Sequence, residues 1–191
     1  MMAREMIRQG GRTARIQKEV HQATRALLAE IERGELTVPM IAERAGVPPS
    51  TIYRRWGDLA QLLADVAVER LRPIADPDDT GTLAGDLDAF VVQYAEEMSS
   101  PVGRRLLRDV LADGETDTSA TKCCRFTYDH LEVIAGRALC RGEAGFDVGQ
   151  AIDRVFAPIV YHILFGDRDV GPEFCRQLLT TVEFGGLRAA A

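Results

Sequence analysis

Asparagine is absent from this 191-residue sequence, and lysine occurs only twice, at Lys18 and Lys122, against 21 arginines. The bidentate asparagine–adenine contact is thereby excluded, so any reading of bases falls to Arg, Gln, Ser, Thr or Tyr. No apolar run approaches the roughly 18 residues of a membrane span, which argues against a membrane partner. The opening stretch MMAREMIRQGGRTARIQKE is charged and has no apolar segment, so no signal peptide is expected. On these grounds the chain reads as cytoplasmic. Cys123, Cys124, Cys140 and Cys175 make no C-x-x-C pair, and an adjacent couple is poorly spaced for a shared metal. Free thiols packed in helices are expected, with no metal site. His21, His130 and His162 lie far apart, and none follows a glutamate at the Glu-x-x-His spacing of a di-iron bundle. Phosphate-cradling glycine loops, H-E-x-x-H and G-x-S-x-G are all missing. No catalytic residue and no cofactor is expected.

Charge is present but unevenly spread. Residues 1–57 carry ten Lys and Arg against six Asp and Glu, whereas 58–191 carry thirteen against twenty-three. A basic head on an acidic remainder suits a polyanion-binding module joined to a part that does not bind nucleic acid, although a solvated basic face would look the same. Apolar spacing is helical nearly throughout. Ile16, Val20, Ala23, Leu27 and Ile31 recur every three or four residues and predict a helix over 13–33 that ends at Gly34. A short helix follows Thr37, another runs from Pro49 to Trp56, and a fourth runs from an Asp58 cap to Leu71. The stretch RPIADPDDTGT, residues 72–82, is the most linker-like in the chain. Further helices are predicted over 82–98, 101–112, 118–141, 147–165 and 172–188, with Pro101 and Pro172 at first-turn positions. Strand-like alternation is absent, and the fold class is all-α.

Chemistry concentrates in VPMIAERAGVPPSTIYRRW, residues 38–56. Two helices joined by a few residues with Gly46 between them describe a helix-turn-helix, in which glycine admits a positive φ. Ile41, Ala42, Ala45, Val47, Ile52 and Trp56 are expected to pack inward. Pro49, Ser50, Thr51, Tyr53, Arg54 and Arg55 then face outward near the start of the second helix, as a recognition helix requires. Thr51 and Tyr53 offer hydroxyls to phosphate, and Arg54 or Arg55 can take a guanine bidentately or pair with phosphate. Thr37 can cap the preceding helix and touch the backbone of double-stranded DNA. By periodicity alone, the same residues would also suit a helical hairpin inside a bundle.

The longer string LTVPMIAERAGVPPSTIYRRWGDLAQLL, residues 36–63, resembles the DNA-binding head of TetR-type (TetR/AcrR-like) transcriptional repressors. Leu36, Thr37, Ile41, Ala42, Ala45, Gly46, Val47, Thr51, Tyr53, Trp56 and Leu62 carry the match. Two departures stand out: Leu59 replaces a lysine that contacts phosphate in the family, and the connection before Thr37 is only GEL. The resemblance implies a helix-turn-helix DNA-binding domain over 13–57, the three-helix head, and a larger helical ligand-binding and dimerisation domain over 58–191. It further implies a homodimer that binds a DNA operator and is released by a small-molecule effector. The last two long helices would form the dimer bundle, and the helix over 59–71 would be the lever between head and body. Phe90, Tyr94, Leu107, Phe126, Tyr128 and Tyr161 are the expected lining of the effector site, although aromatics at such spacing also suit a plain core. The rival reading is a ligand-independent DNA-binding protein regulated by a protein partner.

Overall fold

The structure, a computed structural model, describes residues 2–112, 119–166 and 168–184, with side chains described from Thr13 onward. Helix dominates, and the described residues contain one isolated antiparallel bridge, Phe146 to Phe184, and no strand. The chain divides into two compact units. The first comprises the residues up to Arg70 with the segment that opens at Asp109; the second comprises Leu71–Arg108 and the later chain.

The first unit holds α1 (Met2–Glu30), α2 (Val38–Ala45), α3 (Pro49–Trp56) and α4 (Leu59–Leu71). The apolar stripe of α1 does what its spacing demands: Val20, Ala23 and Leu27 are buried, with Ile16 and Ile31 packed at the margin. They meet Ile41 and Ala42 of α2, Ile52 and Trp56 of α3, and Leu62, Leu63 and Val66 of α4. The fourth helix is thus built into the head's core. Truncating Leu62 to alanine would cost the head about 2–5 kcal/mol. Asp58 caps α4 as expected, its Oδ1 accepting from the Gln61 N–H at 2.9 Å.

Two boundaries of α1 differ from the sequence reading. The helix reaches back to Met2 instead of starting near residue 13, and it ends at Glu30 instead of Gly34. A 3-10 turn over Arg33–Glu35 redirects the chain, and Gly34 sits inside that turn without a positive φ. Buried Asp109 holds the turn through an ion pair with Arg33 at 2.5 Å, a partner too remote in sequence for local capping rules to include.

The second unit contains α5 (Leu83–Ser99), α6 (Pro101–Leu111), whose last turn belongs to the first unit, α7 (Ser119–Cys140), α8 (Val148–Ala151), α9 (Ala157–Leu164) and α10 (Pro172–Leu179). Leu87, Val91, Leu131, Ile134, Val155, Ile159 and Ile163 form the centre of its core. Between α8 and α9 the helix widens into a π turn over Ile152–Phe156, where the Ala157 N–H reaches Ile152 O. Proline supplies the reason: in a regular helix the Pro158 ring would collide with the carbonyl four residues back, and one extra residue in the turn relieves that. The final helix stops at Leu179, well short of the predicted residue 188. Thr180 and Thr181 turn their hydroxyls onto Gln177 O (2.7 Å) and Leu178 O (2.6 Å), competing with the helical ladder. Val182 and Phe184 therefore lie beyond the helix, and residues 185–188 of the expected span lie outside the described residues.

The cysteines are free, but Cys124 and Cys140 are exposed and only Cys175 is buried. Burial, reinforced by the neighbouring Cys124, raises the Cys123 thiol to about 11, so it stays protonated near neutrality.

The segment 72–82 is irregular, as its composition requires, yet firmly held. Arg137 donates to Pro77 O at 2.6 Å. Arg141 reaches Asp79 (3.0 Å), Asp86 (2.8 Å) and Glu143 (2.6 Å) with different nitrogens. Asp86 is fully buried, and its other oxygen accepts both the N–H and the hydroxyl of Thr80 at 2.7 Å. Burial alone would raise the pKa of this carboxyl, but the bonds from Thr80 and Arg141 outweigh it and hold the value below the ordinary one. A depressed carboxylate contributes stability that is complete above its unfolded value of about 3.9 and is lost as pH falls through the folded value. Asp86→Asn is expected to destabilise the protein by about 3 kcal/mol near pH 7. The gap in urea midpoint between variant and wild type should shrink as pH falls below about 4; a gap independent of pH would contradict the assignment.

Candidate nucleic-acid interface

Each bend of residues 37–57 has a local cause. Thr37 caps α2, its Oγ1 facing the Met40 N–H at 3.5 Å. At the other end Gly46 adopts φ +66°, and two backbone bonds close the helix: Gly46 N–H to Glu43 O (3.1 Å) and Val47 N–H to Ala42 O (3.0 Å). That pair of bonds is a Schellman motif, which requires a left-handed residue and so a glycine. Pro48 follows with extended backbone and Pro49 opens α3, while the Pro48 carbonyl takes the Thr51 N–H at 2.9 Å. Gly57, at φ +81°, ends α3.

Ile52 and Trp56, one turn apart, bury their faces, so the rest of α3 is turned outward. Pro49, Ser50, Tyr53, Arg54 and Arg55 are exposed, Thr51 is half-buried, and Thr37 is exposed at the start of α2. The expected contact residues therefore lie on a common polar face, and no acidic side chain stands in the first turn of α3 to repel an anion. Arg54 and Arg55 separate here. Arg54 projects from the exposed face without a hydrogen bond or ion pair among the described residues. Arg55 turns back onto α1, donating through Nη1 to Thr13 O (3.1 Å) and through Nη2 to Gln17 Oε1 (2.6 Å), with its guanidinium 5.0 Å from the Trp56 ring centre. Leu59, where the family carries lysine, packs against the core of the unit.

Sequence reasoning missed the polar group beneath this face. Oδ2 of Asp65 in α4 accepts from Trp56 Nε1 at 2.8 Å and Gln17 Nε2 at 3.0 Å, and His21 Nε2 lies 2.9 Å away. A carboxylate only accepts, so the His21 proton facing it resides on Nε2. Gln17 and His21 are one helical turn apart beside the apolar stripe, which was a usable signal. Their partner lies 44 to 48 residues away and was not.

In the second unit the expected effector residues divide. Phe90 and Tyr94 of α5 converge on Phe156, with ring centres 5.6 and 5.0 Å apart, and Phe90 also meets His130 edge-on at 5.2 Å. Leu107 packs half-buried against the same core, and Phe126 is half-buried on α7. Tyr128 and Tyr161 are exposed; Tyr161 stacks near Phe165, itself 76% exposed. Burial, with minor help from Cys124 and Cys123, pushes the Tyr94 phenol pKa up, keeping its hydroxyl protonated. Among the described residues, no helix is long and apolar enough to cross a membrane, and no cluster of three or more His, Cys, Asp or Glu is placed to hold a metal.

Comparison with known proteins agrees with this geometry. Residues 21–66 match the family model of bacterial regulatory proteins, tetR family, and residues 77–182 match that of the tetracyclin repressor-like C-terminal domain. The HTH-type transcriptional regulator YdeS of Bacillus subtilis (strain 168) is 25% identical over 181 residues, spanning 91% of this chain and 90% of that protein. The HTH-type transcriptional regulator AqdR of Rhodococcus erythropolis is 31% identical over 135 residues, 69% of this chain and 65% of that protein. A crystal structure of a TetR family transcription regulator from Marinobacter aquaeolei VT8 superposes with a TM-score of 0.52 at 15% identity, covering 90% of this chain and 97% of the other, a likeness of fold. With both family models matched in chain order, and with a helix-turn-helix where the first of them lies, the chain belongs to the TetR family of DNA-binding transcriptional regulators.

Proposed function

We propose that this regulator is a repressor that sits on a DNA operator as a homodimer and is released by a small-molecule effector. The observation that carries the reading is the exposed polar face of α3, held by buried Ile52 and Trp56 and entered through the Gly46 turn. Thr37, Ser50, Thr51 and Tyr53 then engage phosphates on either side of a major groove, with Pro49 setting where α3 begins. Arg54 is the better candidate for base reading, because both terminal nitrogens of Arg55 already have partners on α1. Residues 13–57 are the DNA-binding domain in this scheme, and 58–191 supply effector binding and dimerisation.

Two features support the second half of the scheme. Tyr161 and Phe165 expose large apolar surface at one end of α9, which suits a face covered by a second copy. The cluster of Phe90, Tyr94 and Phe156 beside the π turn, with Leu107 packed on the same core, suits an apolar effector; Phe126 is half-buried on α7, and Tyr128 and Tyr161 would join only from the surface. A dimer must place its two recognition helices about 34–36 Å apart to enter successive major grooves, and an effector that favours another spacing releases the DNA.

Tyr53→Phe is expected to weaken binding to every DNA sequence by a similar factor, about tenfold, because it removes one hydrogen bond to a charged oxygen. Affinities for an operator and its single-base variants check this; a loss confined to one base position would refute a phosphate role. For the effector, compounds that raise the melting temperature should weaken operator binding by about 5- to 150-fold, and operator should weaken their binding by the same factor. If every stabilising compound leaves operator affinity unchanged, release by a small molecule is wrong and a protein partner takes its place.

A further inference from the structure

Arg55 is the only one of the expected DNA-contact residues whose side chain is shown bound to another helix, and the group that receives it is bound in turn. Gln17 accepts from Arg55 Nη2 through Oε1 at 2.6 Å and donates to Asp65 Oδ2 through Nε2 at 3.0 Å. One amide therefore bridges the recognition helix and α4, with its orientation fixed by having a donor on one side and a carboxylate on the other. Asp65 collects Trp56 from the end of α3 and His21 from α1 on the same oxygen. The rings of His21 and Trp56 lie 6.0 Å apart, and both residues are buried, so the hub has little freedom to rearrange piecemeal. Helix α4 is also the last element of this unit before the chain passes, at Leu71, into the other.

We propose that Gln17 and Asp65 are positioning residues for operator recognition: they lock α3, through Arg55 and Trp56, to α4, so that a displacement of α4 is felt at the recognition helix. The inference rests on α3 being the helix that reads DNA. Neither residue touches DNA in this scheme. A hydrophobic contact between α3 and α4 tolerates small sliding, because burial is non-directional. A relay of directional bonds, each with an ionised donor or acceptor, does not. Gln17 thus sets the pitch of α3 relative to α4, and the effect of losing it is a loss of fit to the operator and not a loss of charge toward it.

Four variants of the full-length protein separate the possibilities: Gln17→Leu, Gln17→Glu, Arg55→Ala and the double variant Gln17→Leu with Arg55→Ala. Each is titrated with an operator duplex recovered by selection from random-sequence DNA and with a scrambled duplex of equal length. Unfolding in urea is followed by the emission of Trp56, the only tryptophan. Gln17→Leu should lower operator affinity about tenfold, leave scrambled-duplex affinity and the salt slope unchanged, and add less than about twofold in the Arg55→Ala background. Gln17→Glu keeps an acceptor for Arg55 but presents a second carboxylate to Asp65, and it should be as impaired as Gln17→Leu. If Gln17→Glu binds operator like wild type, the amide does not link α3 to α4, and the proposal fails. It fails equally if the effects of Gln17→Leu and Arg55→Ala multiply, or if both duplexes lose affinity in step with a lowered urea midpoint. Failure of the recognition-helix reading itself looks different: Tyr53→Phe and Arg54→Ala, titrated in parallel, would then leave operator binding unchanged.

Discussion

Oδ2 of Asp65 is where α1, α3 and α4 of the first unit are tied together. Gln17 and His21 come to it from α1, Trp56 comes from α3, and the carboxylate itself stands on α4. The surrounding core of Val20, Leu27, Ile41, Ile52, Leu62 and Val66 supplies most of the driving force for bringing these helices together. Apolar burial, however, specifies a volume more strictly than it specifies an angle. The carboxylate supplies the angle, since each donor must point at one atom.

The second unit uses the same device with the charges exchanged. There the centre is a cation, Arg141 at the end of α7, and the groups gathered around it are Asp79, Asp86 and Glu143. Glu143 also takes the Leu83 N–H at 2.8 Å, so the first turn of α5 is held by the residue that holds Arg141. The consequence is that the proline- and aspartate-rich segment after α4 is not a slack tether. Arg137 and Arg141 fasten it to α7.

On the recognition helix, what matters is the division of labour between two adjacent arginines. Arg54 and Arg55 are chemically identical, yet one points away from the protein and the other is fastened to α1 and laid over Trp56. Successive helical residues differ by about 100° in direction, so adjacent side chains of one type fall into different environments. A face built this way leaves a few groups turned outward and uses others to hold its own position.

Much of this was legible in the chain. The all-α class, the stripe of α1, the Thr37 and Asp58 caps, the Gly46 turn and the outward face of α3 follow from spacing and from residues whose backbone preferences are local: a glycine at positive φ, prolines at first-turn positions, hydroxyl and carboxylate caps. The resemblance of residues 36–63 to one family followed from the same string. What sequence could not supply were the partners of Asp65, Asp86, Asp109 and Arg141, because a charged residue in a helix looks alike whether it meets solvent or a buried donor dozens of positions away. The ends of α1 and α10 were misplaced for a related reason: a 3-10 turn held by Asp109 and two threonine hydroxyls on nearby carbonyls overrode the apolar period. Local preference, which acts over a few residues, determined where helices form and which side of each is apolar. Tertiary structure alone decided which polar groups face each other and which of two neighbouring arginines is fastened to another helix, because directional bonds between distant residues exist only once the helices have packed.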